Sequence, residues 1–182
     1  MDPLEIHTER LHIRNLQPED LNDFHSYRSN PEISKYQGFD VMDLSQAEKF
    51  IASQQNKIFG KTGQWIQYAI EEKMLGKLIG DCAIKLDESD KRIAEIGITI
   101  SHHYQQQGFA KEAMLGLMDF LFAVKKIHRI KETVDVENSA SIKLVESVGF
   151  RKEGHFIENI FFNEKWGSEF QYAMLKSEWS TR

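Results

Sequence analysis

A single cysteine, Cys82, leaves no partner for an internal disulfide, so this chain must hold itself together by packing and fits a reducing compartment. Only three prolines and no repeat or low-complexity tract interrupt its 182 residues, which excludes a fibrous array or a proline-rich linker. No charge-free apolar run approaches the roughly 20 residues of a membrane helix. The start, Met1-Asp2-Pro3-Leu4-Glu5, has neither the basic end nor the apolar stretch of a secretory signal. Together these absences predict a cytoplasmic protein with no membrane partner. Positive charge is also short: 23 Lys and Arg stand against 28 Asp and Glu, a net charge of −5. That balance argues against a general nucleic-acid binder and tilts towards cationic ligands. What remains is 41% hydrophobic and 28% charged, close to the globular average, and long enough for one domain over residues 1–182 with a substantial core.

Periodicity orders the elements. Glu9 to Leu16 alternates as a strand, and Pro18-Glu19-Asp20 opens a helix that ends near Ser29-Asn30-Pro31. Residues 32 to 43 read as irregular. Ser45-Gln46-Ala47-Glu48 has the form of a capping box for a second helix carrying Phe50, Ile51 and Ile58. Three β-rich runs, Gln64 to Glu72, Gly76 to Leu86 and Arg92 to Ile100, are expected as an antiparallel meander. Ala110, Ala113, Met114, Leu117, Leu121 and Val124 then recur at helical spacing. His128 to Val136 is the next strand, Asn138 caps a short helix stopped by Gly149, and Phe150 to Phe162 with Trp166 to Leu175 form a hairpin. The order predicts an α+β domain, a mixed twisted sheet of about seven strands with four flanking helices.

Gly108 and Ala110 lie where loop gives way to the long helix, and leave backbone amides open to an anion. The first turn of a helix supplies free N–H groups and positive potential without any lysine, which suits a pyrophosphate. The Gly-Lys-Ser/Thr ending of a nucleotide-triphosphate loop and the G-x-G-x-x-G spacing of a dinucleotide fold are both missing. By themselves these residues read equally well as a plain loop entering a helix.

Four landmarks in order carry a resemblance: Ala94-Glu95-Ile96-Gly97-Ile98-Thr99-Ile100; Tyr104-Gln105-Gln106-Gln107-Gly108-Phe109-Ala110-Lys111-Glu112-Ala113; Asn138-Ser139-Ala140-Ser141; and Val148-Gly149-Phe150. They resemble the GNAT N-acetyltransferases over nearly the full chain. The opening Thr8 to Arg14 with Pro18-Glu19-Asp20 is similar to the RimJ/RimL-type branch. The resemblance implies an acetyl-CoA-dependent N-acetyltransferase of GNAT fold, in which two central strands splay apart around the pantetheine. The family pattern Q/R-x-x-G-x-G/A falls on Gln105, Gly108 and Ala110. It implies that amides from Gln106 through Gln107, Gly108, Phe109 and Ala110 to Lys111 hold the coenzyme A diphosphate, and that backbone around Ile98 and Ile100 pairs with the pantetheine. Gln106 departs from the branch, many members of which carry a further glycine there.

An amine must lose its proton before it attacks a thioester. A lysine-like amine with pKa about 10.4 is neutral in only about 0.04% of molecules at pH 7, a deficit of nearly 5 kcal/mol, whereas an α-amine near 7.8 is about 14% neutral. Glu95, which alternation places beside Gly97, is the candidate general base, its bland alternative being a salt-bridged strand glutamate. Many GNAT enzymes donate to the leaving thiolate from a tyrosine, but Val145 occupies that position. Ser141 matches the N-x-x-S form of the branch and is the candidate donor, with Asn138 ordering the turn and touching cofactor. Both also suit a simple helix start.

Tyr36 and Phe39 are expected at the acceptor end, because loops at a cleft mouth commonly set selectivity. Trp65, Tyr68, Phe161, Phe162 and Trp166 are strand aromatics that could line the cleft or fill the core. His102-His103 look like a metal pair, but neighbours on an extended strand face opposite ways, so no metal is expected. Cys82 lies in an apolar run and reads as a buried thiol, with a nucleophile as the alternative. The acceptor is a protein N-terminal amine or a small amine such as a polyamine, amino acid or aminoglycoside. A non-catalytic acyl-CoA sensor and a generic phosphate binder are the rival classes. Both monomer and homodimer stay open.

Overall fold

The computed structural model describes residues 4–36, 40–162 and 164–181. Its centre is an eight-stranded sheet of order β1-β2-β3-β4-β5-β6-β8-β7. The chain enters through β1 (Ile6–His7) and β2 (Leu11–Asn15), then a 3₁₀ turn at Pro18–Asp20 runs into α1 (Leu21–Arg28). One-turn α2 (Pro31–Ser34) and α3 (Leu44–Gln54) follow, and β3 (Ile66–Glu72), β4 (Lys77–Leu86) and β5 (Ile93–Ile100) make the expected antiparallel meander. Next come α4 (Phe109–Asp119), closed by a π-helical turn over Phe120–Val124, then β6 (Arg129–Asp135) and α5 (Ser139–Ser147). The hairpin β7 (Arg151–Phe162) and β8 (Lys165–Leu175) and the one-turn α6 (Lys176–Trp179) complete the chain.

Adjacent strand residues go to opposite faces, and the core divides accordingly. Tyr68 and Ile70 of β3 and Ile79 of β4 join Ala113, Met114 and Leu117 of α4 in one cluster. Ala69 and Leu78 join Phe24 and Tyr27 of α1 and Ile51 of α3 in the other. The sheet is thus sandwiched between α1/α3 and α4/α5, with four principal helices as expected.

Three expectations are corrected. The sheet has eight strands and not seven, because Ile6–His7 pairs with Ile13 and His12; two residues are too few to show a period. The cap of α3 is Asp43 and not Ser45: Asp43 Oδ1 accepts from Gln46 N and Gln46 Oε1 from Asp43 N, each at 2.8 Å, and the helix ends before Ile58. The stretch read as irregular contains α2, where the Asn30 side chain accepts from Glu32 N and proline takes the first helical position.

Candidate active site

Strand β5 runs parallel to β6 and pairs with it at Ile93↔Arg129, Ala94↔Ile130 and Glu95↔Lys131. Beyond that rung the strands share no register pair among the described residues. They part around a cleft of about 630 Å³. Of the expected site residues, Tyr36, Glu95, Ile98, Asn138 and Ser141 line this one space. Ile100 is nearly buried at the end of β5, and Gln105 to Lys111 lie beyond it, outside the cleft lining. Phe39 falls outside the described residues.

The loop after β5 has the backbone an anion cradle needs. Gly108 is the N-cap of α4 at φ +84°, in the left-handed region that glycine enters without penalty. Gln106, at φ 61°, occupies the same region with a side chain. A side chain in this region carries a local strain that glycine would not. Gln105 Nε2 donates to Ile100 O at 3.0 Å, tying the loop to the strand end. Phe109 is buried, so its amide and not its ring is what it can offer a ligand.

Arg10, which sequence reasoning missed, locks this loop in place. Its Nη1 donates to Gln107 O at 3.1 Å, its Nε to Glu112 Oε2 at 2.6 Å, and its guanidinium lies 4.2 Å from the Phe109 ring centroid. Burial works against the Glu112 charge, but bonds from Thr8, the Arg10 amide and the Arg10 side chain outweigh it and hold that carboxyl below its usual range. A first-turn carboxylate also interacts favourably with the helix N-terminus.

On the other wall, Asn138 Oδ1 accepts from Ser141 N at 3.1 Å, the geometry of an N-cap. This turn brings Ser141 to the cleft, whereas Val145, one turn on, is fully buried in the core. Where the parting strands begin, Glu95 stands opposite Lys85 on β4 and Lys131 on β6. Its carboxylate lies 2.9 Å from Lys85 Nζ and 3.8 Å from Lys131 Nζ.

Glu132, also missed, lines the same cleft and is 7% exposed. Its Oε2 is buried with no hydrogen-bond partner among the described residues. Burial, followed by the Glu95 charge, pushes its carboxyl up to about 8. The signal was in the strand: Ile130, Glu132 and Val134 share the buried phase of β6, so a glutamate occupies an apolar position.

Beneath the cleft, Asp81 is fully buried. It accepts from Tyr27 Oη at 2.6 Å, Arg28 Nη2 at 2.7 Å and Arg28 Nε at 3.1 Å, and from the Gln67 side chain. This network ties α1 to β3 and β4 and presents Arg28 at the cleft wall.

Among the strand aromatics, Trp65 and Phe162 line the cleft, Tyr68 is core, and Phe161 and Trp166 are exposed and pack edge-on at 5.3 Å. His102 and His103 correct their expectation: they lie in a 3₁₀ turn, with ring centroids 3.8 Å apart and not on opposite faces. Cys82 is fully buried and its thiol pushed up by burial, which makes it a structural thiol. Among the described residues, Glu5, His7 and His12 have metal-ligand chemistry, their ligand atoms within 4.8 Å of one another at the β1 edge; the two rings stack and His12 bonds Glu5. No helix among the described residues is long and apolar enough to cross a membrane.

A splayed pair of parallel strands followed by a glycine-capped helix suits an elongated donor with amides in its arm and phosphates at its end. Comparison with known proteins agrees. The Acetyltransferase (GNAT) domain pattern matches residues 10–151. The chain is 31% identical over 176 residues to the uncharacterized N-acetyltransferase p20 of Bacillus licheniformis, covering 96% of this chain and 98% of that one. A GNAT-family acetyltransferase from Bacillus anthracis superposes with a TM-score of 0.86 at 27% identity, covering 96% and 100% of the two chains. Spermidine N-acetyltransferase from Vibrio cholerae, solved in complex with CoA and spermine, superposes with a TM-score of 0.81 at 25% identity, covering 95% and 99%. With the pattern covering most of its length and relatives matched from end to end, the chain belongs to the GNAT family and is an acetyltransferase.

Proposed function

We propose that this chain, acting as a single domain in the cytoplasm, transfers an acetyl group from acetyl-CoA to a primary amine within a ternary complex. The observation that carries the reading is the parting of β5 and β6 after Glu95↔Lys131, with Asn138 and Ser141 on one side and the Gly108 turn beyond the end of β5. In this reading amides from Gln106 to Lys111 hold the diphosphate, and backbone at Ile98 and Ile100 meets the pantetheine. The amine gives its proton to a carboxylate at the throat of the cleft, where Glu95 and Glu132 both stand. Its nitrogen then bonds the thioester carbonyl carbon, the C–S bond breaks, and the thiolate takes a hydrogen bond from Ser141 Oγ.

Among the described residues, Glu95, Asp135, Glu137 and Glu169 line the cleft together with Glu132, whose carboxyl is pushed up to about 8, against Arg28, Lys35 and Lys165, a small excess of negative charge. That excess favours a cationic acceptor. A small polyamine-like amine is the acceptor best supported, because a relative matched over nearly its full length is a spermidine N-acetyltransferase solved with CoA and spermine. The RimJ/RimL-like opening and the Asn138–Ser141 motif support a protein N-terminus as the second reading.

Release of CoA thiol, measured across polyamines, amino acids and peptides with free N-termini, is the test. Turnover highest on polyamines is expected; turnover on no amine sinks the proposal. Ser141→Ala should lower kcat about 10- to 100-fold with little change in the KM for acetyl-CoA, as expected when a donor acts mainly in the transition state.

A further inference from the structure

The two carboxylates at the throat are differently placed, and sorting their tasks rests on the acetyl-transfer reading above. Glu132 comes one residue after the last rung shared with β5, and its buried Oε2 has no partner among the described residues. Buried carboxylate oxygens are nearly always bonded, so an orphan bordering a cleft marks a place where the donor arrives with the ligand. An ammonium group brings three N–H donors. Glu95 is already held on both sides by Lys85 and Lys131, and would have to give up one of them to receive a proton.

We propose that Glu132 is the catalytic base that takes the acceptor's proton at Oε2, and that Glu95, clamped between two lysines, is a positioning residue that keeps a fixed negative charge beside it. Glu95 on β5 is the charged group that acts on Glu132 and Arg28 on α1 lines the same cleft, whereas Lys131, next to it on β6, takes the other face of the strand and with Lys85 on β4 is paired to Glu95. On β8, Glu169 lines the cleft and Tyr172 stands directly opposite, its hydroxyl donating to Glu146 on α5 at 2.9 Å. Burial comes first and the Glu95 charge second in setting the Glu132 carboxyl at about 8. A base tuned to the working pH is the more effective one. Proton transfer to it from a lysine-like ammonium is uphill by about 10² to 10³, against about 10⁶ for an ordinary glutamate.

The test is kcat/KM for a polyamine between pH 6 and 9.5 in the wild type, Glu132→Gln, Glu132→Asp and Glu95→Gln, alongside acetyl-CoA affinity and melting. The wild-type rate should rise through a limb near pH 8. Glu132→Gln should lose about 10²- to 10⁴-fold and the limb, with acetyl-CoA affinity unchanged, and Glu132→Asp should recover part of both. Glu95→Gln should stay within about tenfold of the wild type and move the limb to lower pH, since a neighbouring negative charge that disfavours ionisation is gone.

Melting supplies a readout free of activity. A carboxyl raised from 4.5 to about 8 binds more proton folded than unfolded across that window, so stability is greatest below it and falls as pH climbs through it. Glu132→Gln should flatten that slope. A limb and rate unchanged in Glu132→Gln, the large loss appearing in Glu95→Gln, or a slope unchanged in Glu132→Gln would each overturn the assignment alone. Turnover with no amine would overturn the acetyl-transfer reading and this assignment with it.

Discussion

Replacing Asp81 with alanine is expected to lower the free energy of unfolding by about 3–5 kcal/mol, read from the midpoint of urea denaturation followed by circular dichroism. Asp81 has no exposed surface and receives hydrogen bonds from Tyr27, Arg28 and Gln67, while Arg28 is only 3% exposed. Removing the carboxylate takes away the charge that balances a buried guanidinium and the acceptor for the Tyr27 and Gln67 donors. The loss therefore comes from the partners left behind. Removing both charges in Arg28→Met/Asp81→Leu should cost clearly less than Asp81→Ala alone. A loss below about 1 kcal/mol for the single substitution would show that the network is a minor contributor.

Gly108→Val is expected to weaken acetyl-CoA binding by about 100-fold, measured by titration calorimetry, with a smaller effect on melting. A Cβ at this position meets only Arg10 Nη2, at 3.4 Å, so space is not the obstacle. The obstacle is φ +84°, which costs an L residue roughly 1–2 kcal/mol and a β-branched one more. If the turn relaxes to escape that cost, the amides proposed to hold the diphosphate swing away, each charge-assisted bond being worth about 1.5–3 kcal/mol. Asparagine tolerates the left-handed region best, so affinity should rank Gly108→Asn above Gly108→Ala above Gly108→Val. Equal affinities across the series would remove the loop from the donor site.

The elements whose period spans several turns or rungs were readable from sequence: the meander, the α4 stripe, the Asn138 cap and the final hairpin all lie close to where the pattern puts them. Failures came where the local code is short or duplicated. β1 has two residues, and Asp43 and Ser45 each have a plausible capping partner three positions on, Gln46 and Glu48. Local geometry at the candidate site was legible where the backbone dictates residue type, as in the left-handed turn at Gly108 and the cap at Asn138. It was not legible where function depends on pairing across the fold. Asp81 inside the apolar run of β4 and Glu132 in the buried phase of β6 both announced that a charge was going inside. Which of them would find a partner depended on Arg28 lying 53 positions away on α1, a distance no period encodes.

The short seam between β5 and β6 has a consequence for selectivity. Once two strands separate inside a folded protein, each carries a row of amides and carbonyls that recognises the spacing of a peptide-like backbone and nothing else about it. On the proposed reading, an arm built of amides is gripped there whatever acyl group it carries. On that reading discrimination among donors falls to the two extremities, the proposed anion turn at Gly108 and the throat at Glu132. Trimming side chains such as Ile98 midway along the parted strand should change which donor is preferred far less than changes at either end.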